Sequence, residues 1–177
     1  MREFLRRLID GAGALAGLFV LLIFLVMIVS TVMRTLGMRT GGTDDIVSWM
    51  TAAAAFFGLA HTFRHGDFVR VVLVLDKLGP RARHWVELAA LAVGTTFTGY
   101  LALSVTRYVL DSWRFGDMAG GLVVIPIWIP QSSIAIGSTL LFIAMADQFV
   151  HVLRGNRPDY VVAVEERHAR GDFSEDV

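Results

Sequence analysis

Cysteine is absent from the 177 residues, which excludes disulfides and thiolate metal sites. No excess of either charge exists: 16 basic and 16 acidic side chains cancel, so nothing in the balance points to nucleic acid. Proline occurs four times only, and long helices are therefore free to run. The most telling absence is local. Lys, Arg, Asp and Glu are missing altogether from Gly11–Met33, Ile46–Phe63, Leu88–Thr106 and Met118–Ala146, stretches of 23, 18, 19 and 29 residues. These make up about half of the chain, which leaves little from which to build a water-soluble domain.

What fills the gaps is apolar. Hydrophobic residues reach 55%, above the ~45–50% of soluble domains. A bilayer core ~30 Å thick is crossed by roughly 20 helical residues. The sequence therefore predicts an all-α integral membrane protein with four transmembrane helices, at about 11–33, 46–63, 86–106 and 127–150. Residues 1–154 form the membrane domain, and 155–177 are expected to be a polar, disordered cytoplasmic tail. Arg2, Arg6 and Arg7 before an apolar run imitate a secretory signal. The run exceeds a signal core of ~7–15 residues and closes without a small-x-small cleavage site, so a retained first helix is expected. Twelve of the basic residues fall in the N-terminus, the loop between helices two and three and the tail, against four in the other two loops. The positive-inside rule then places both termini in the cytoplasm. Trp49, Trp85, Trp113 and Trp128 sit at span ends, as an aromatic belt requires.

The spans differ in character. Helix one carries Gly13 and Gly17 four apart, and helix two carries Ala52–Ala55 and Gly58, small residues that permit close backbone approach. Helix three is rich in hydroxyls (Thr95, Thr96, Thr98, Ser104) that can bond back to their own helix or across to a neighbour. The fourth apolar run is too long for one span. Pro126 and Pro130 divide it: proline suits a first helical turn, so the helix should start near Pro130 after an extended lead-in at Gly120–Ile129. Asp147 then falls in its last turn. Between helices two and three, Phe68, Val71, Val72, Leu75 and Leu78 recur at helical spacing among charged residues. This predicts a short amphipathic segment at the cytoplasmic interface or against a partner, with a short strand as the rival, since Val69–Val74 is largely β-branched.

No catalytic constellation emerges, and the chain is read as no enzyme. None of the Asp, Glu, Lys or Arg side chains lies near mid-span, where one would mark a function. His61 is the deepest titratable group. It is either bonded to a neighbouring helix or headgroup, or paired with His151 around a haem, as in the membrane anchors of respiratory oxidoreductases. That anchor, binding haem b or quinone, is the alternative function. A carrier would need broken helices in repeated halves, and no repeat is visible. The chain reads as an accessory subunit without cofactor or metal of its own.

From Arg34 to Val152 the residues resemble a known family, the small membrane subunit of TRAP (tripartite ATP-independent periplasmic) transporters, the DctQ type. Arg34 precedes a Gly-containing loop, then the acidic pair Asp44–Asp45 and the Trp49 of helix two. Phe56–Ala60 gives Phe-Phe-Gly and small residues, followed by Arg64, Gly66 and the amphipathic stretch. Asp67 stands where the family usually has His. Arg81 and Arg83 follow a Gly/Pro break, and residues 125–137 (IPIWIPQSSIAIG) resemble the segment before helix four, with Ala135 where a proline is common and Gly137 retained. The resemblance implies a sodium-coupled importer of a small organic acid in the bacterial inner membrane. In it this chain would scaffold a large twelve-helix permease that works with a periplasmic substrate-binding protein. Asp44, Asp45, Trp49, Arg64, Asp67, Pro126, Trp128, Pro130 and Gly137 are the expected candidates for the partner interface. For Asp44 and Asp45 the competing role is helix capping; for Trp128 it is anchoring in the bilayer interface.

Overall fold

A computed structural model describes residues 2–38, 40–65 and 79–156. Four helices follow one another: α1 Arg2–Thr35, α2 Thr43–His65, α3 Pro80–Phe115 and α4 Trp128–Leu153. All four are long and apolar enough to cross a membrane. Among the described residues, extended pairing is limited to one bridge, between Met118 and Pro126. The chain is an all-α, multi-pass membrane protein. The amphipathic segment expected between helices two and three, and the tail beyond residue 156, lie outside the described residues.

The helices outrun the charge-free stretches, because the backbone keeps its hydrogen bonds after the side chains turn polar. α1 takes in Glu3, Arg6, Arg7 and Asp10, and Arg7 pairs with Glu3 one turn away at 3.6 Å. α3 starts at Pro80, whose missing N–H costs nothing in a first turn, and runs on through Arg107, Asp111 and Arg114. Gly116, in the left-handed region at φ 66°, ends it. Because α4 continues to Leu153, Asp147 lies nearly two turns from its end rather than in the last turn.

The helices pack as a row in the order α1–α2–α4–α3, with α1 and α3 on the outside. Lipid tails are as apolar as leucine, so close packing rather than hydrophobic burial holds such a row together. At the α1–α2 seam Gly58 faces Ala16, and Phe19 and Phe57 stack at 6.2 Å between ring centroids; Ile9, Ala12, Ala53, Phe57 and Ala60 are buried in the core that these helices share with their neighbours. The α2–α4 seam turns on Gly137: a Cβ there would lie 2.7 Å from the Phe56 carbonyl carbon. At the α3–α4 seam Gly99 accommodates the Phe142 ring and Gly94 the Met145 sulfur. Gly13 packs on His61, whereas Gly17, expected on the same packing face, has open space beside it. The hydroxyls of α3 bond mainly to their own helix: Thr96 donates to Ala92 O at 2.8 Å and Thr98 to Gly94 O at 2.8 Å. Thr98 also reaches the Met145 sulfur across the seam at 3.6 Å.

Candidate partner interface

Six of the nine candidates, Asp44, Asp45, Trp49, Pro126, Trp128 and Pro130, lie at the end of the row where α1 turns into α2 and α3 into α4. Beyond Gly116 the chain doubles back as a narrow hairpin. Ala119 N–H donates to Ile125 O at 2.8 Å and Ile127 N–H to Asp117 O at 3.0 Å. These two bonds flank the Met118–Pro126 bridge, making it a pair that exchanges no hydrogen bond of its own. Pro126 therefore sits at a position where its missing N–H is not needed. Of the extended lead-in expected at Gly120–Ile129, only residues 124–127 form this returning arm; 120–123 bend at the hairpin tip, and the helix starts at Trp128 rather than near Pro130. Trp128 is the first residue of α4 and half-buried, and Pro130 lies in its first turn. Ser132 and Ser133 bond back to Ile129 O at 2.6 Å and Pro130 O at 2.7 Å, closing carbonyls of that turn.

Asp45 has a role that neither expectation named. Its carboxylate Oδ2 accepts from the backbone N–H groups of Leu122 at 2.9 Å and Val123 at 3.4 Å, at the hairpin tip. It thus ties α2 to the α3–α4 connection across 77 residues of sequence. Two glycines make the contact possible. A Cβ on Gly121 would collide with the Asp45 carboxylate, 2.6 Å from its Cγ. Gly42, at φ 81°, would drive a Cβ into the Val123 side chain. Ser30 reaches Thr43 at 3.4 Å and adds a link from α1. Both loops at this end are therefore locked to each other by polar and steric fit.

The remaining candidates make no comparable tie. Asp44 is exposed in the first turn of α2, and Trp49 is half-buried one turn further on. Arg64 is half-buried in the last turn of α2, at the opposite end of the row. Gly137 is consumed by packing within the chain. Asp67 lies outside the described residues. His61 does not present itself to His151: its ring packs on His65 at 4.1 Å between centroids and faces Asp10, while His151 Nδ1 lies 3.3 Å from Asn156 Nδ2. The haem or quinone anchor finds no support in this geometry.

The family described as "Tripartite ATP-independent periplasmic transporters, DctQ component" matches residues 22–155. The chain belongs to the DctQ family. That family is one of transporter components, not of enzymes. A curated relative, the C4-dicarboxylate TRAP transporter small permease protein DctQ of Rhodobacter capsulatus, is 29% identical over 93 residues. That match takes in 52% of this chain and 39% of the relative's length. The stretch matched to the DctQ family includes every candidate from Asp44 to Gly137, and it begins after Asp10. What sequence reasoning missed were the glycines opposite Asp45 and the neighbours of His61. The only available sign of the latter was the four-residue spacing of His61 and His65.

Proposed function

We propose that this chain is the scaffold subunit of a sodium-coupled TRAP importer of a small organic acid. In this reading it holds a large twelve-helix permease in the bacterial inner membrane and works with a periplasmic binding protein. The observation that carries the reading is the open row of helices: four apolar spans without a mid-span charge, packed edge to edge with broad faces left uncovered. An anion has no affordable route through such a layer, whereas a second membrane protein has ample surface to pack on. The DctQ match supplies the kind of complex. The twelve-to-four distribution of basic residues supports a cytoplasmic location for both termini. A periplasmic reporter fused at Gly41 should be active and one fused after Asp159 silent; the reverse pattern would overturn the orientation.

The outer face of α3 is the better docking side. Val86, Val93, Phe97, Tyr100 and Tyr108 form one exposed stripe along it, with Tyr100 at 71% exposure. The outer face of α1 offers Leu15, Leu18, Leu21, Phe24 and Ile28, all suited to lipid. A phenol O–H within the span needs an acceptor that hydrocarbon lacks, and a partner helix could provide one. Replacing Phe97 and Tyr100 together by Ala should abolish co-purification of the permease, while Leu21 and Phe24 replaced together should not. Equal retention by both pairs would refute this choice of face.

A further inference from the structure

At the terminal end of the row, α1 and α2 bring together three side chains that the transport reading does not use. Asp10 Oδ1 lies 4.0 Å from His61 Nδ1 and 3.8 Å from His65 Nε2. One ligand-type atom from each residue falls within 4.8 Å of the others. His65 Nδ1 is 3.0 Å from the His61 carbonyl oxygen. A carbonyl only accepts, so this nitrogen donates, and Nε2 is the ring nitrogen that faces Asp10. Fixing one imidazole nitrogen on a carbonyl in this way is the usual support of a metal-binding histidine. Asp10 Oδ1 and His61 Nδ1 are both buried atoms with no hydrogen-bond partner among the described residues. A cation held between these atoms would give both of them a partner. Gly13 makes the arrangement possible: a Cβ there would lie 2.5 Å from His61 Nδ1.

We propose that Asp10, His61 and His65 bind a divalent cation of the zinc class, which clamps α1 to α2. Two imidazoles and a carboxylate, with no cysteine anywhere in the chain, suit zinc, cobalt or nickel rather than monovalent copper. Bonds of ~2.0–2.2 Å to a tetrahedral zinc set ligand atoms ~3.3–3.5 Å apart. The two spacings to Asp10 need to close by about 0.3–0.7 Å and that between the imidazole nitrogens, within 4.8 Å, by up to about 1.5 Å, which rotation of the half-exposed side chains can supply. With three protein ligands the fourth position falls to water.

The test uses the untagged full chain in nanodiscs, titrated calorimetrically with zinc chloride. One zinc should bind per chain. Asp10→Asn, His61→Ala and His65→Ala should each weaken it by at least about tenfold, since loss of a mere supporting partner already weakens metal sites 10–100-fold. Gly13→Ala, which removes no ligand but displaces the His61 ring, should weaken it too, and His84→Ala should leave it unchanged. Should a variant fail to fold, X-ray absorption at the zinc edge of the wild-type protein should still read two imidazoles and one carboxylate oxygen. No saturable zinc binding, undiminished binding in the three ligand variants, or an absorption spectrum without imidazole would each overturn the site. So would a contact that tightens with acid alone in metal-free protein that takes up no zinc.

Discussion

Removing the Asp45 carboxylate should loosen the α3–α4 hairpin without unfolding the helices. Hydrogen bonds to a charged acceptor contribute about 1.5–3 kcal/mol when shielded from water and less when exposed. Here the 2.9 Å bond is to the exposed Leu122 and the second, at 3.4 Å, is long. The pair together is worth about 1.5–3 kcal/mol. Since each 1.4 kcal/mol is about tenfold, Asp45→Ala should speed amide exchange at Leu122 and Val123 by roughly ten- to a hundredfold. Asp45→Asn keeps a neutral acceptor and should lose at most about half of that energy. Gly121→Ala should mimic Asp45→Ala, because its new methyl occupies the space of the carboxylate. Asp44→Ala removes only a charge near a helix N-terminus, worth about 0.3–1 kcal/mol to the first turn of α2, and should leave the hairpin amides alone. Hydrogen exchange of the chain in nanodiscs, read by mass spectrometry, measures all four. Unchanged exchange at Leu122 and Val123 in Asp45→Ala would refute the reasoning.

Two further outcomes follow from the packing. Gly137→Val forces α2 and α4 apart at the Phe56 backbone, and overpacking of this kind costs about 1–3 kcal/mol; the thermal midpoint in detergent should fall, and an unchanged midpoint would show that the seam can yield freely. Trp128→Ala should weaken co-purification of the permease while Trp128→Phe preserves it, if this half-buried ring wedges against the partner; equal recovery with both would leave it a bilayer anchor.

The four spans were legible because hydrocarbon tolerates so few charges that their absence marks each crossing. The extended lead-in expected at Gly120–Ile129 was legible only in part: Pro126 and Pro130 constrain the backbone whatever surrounds them, but residues 120–123 bend at the hairpin tip and the helix begins at Trp128, two residues before Pro130. Helix ends were not, since Arg7 with Glu3 and Arg83 with Glu87 extend helices into polar sequence through pairs one turn apart. The contact of Asp45 with Leu122 joins elements far apart in the chain, and its enabling glycines look from sequence like ordinary loop residues. Asp10 with His61 was hidden likewise: the residues meet only because α1 and α2 run antiparallel in register. The row order α1–α2–α4–α3 depends on which small-residue faces meet, and several helices carry such faces.

The central claim is that this chain supports transport without carrying anything itself. The direct measurement is uptake of radiolabelled organic acid into liposomes under an inward sodium gradient, with binding protein present. Three preparations are compared: this chain alone, the permease alone, and the two together. Uptake should occur only with the two together. Uptake by this chain alone, or full uptake by the permease without it, would contradict the account.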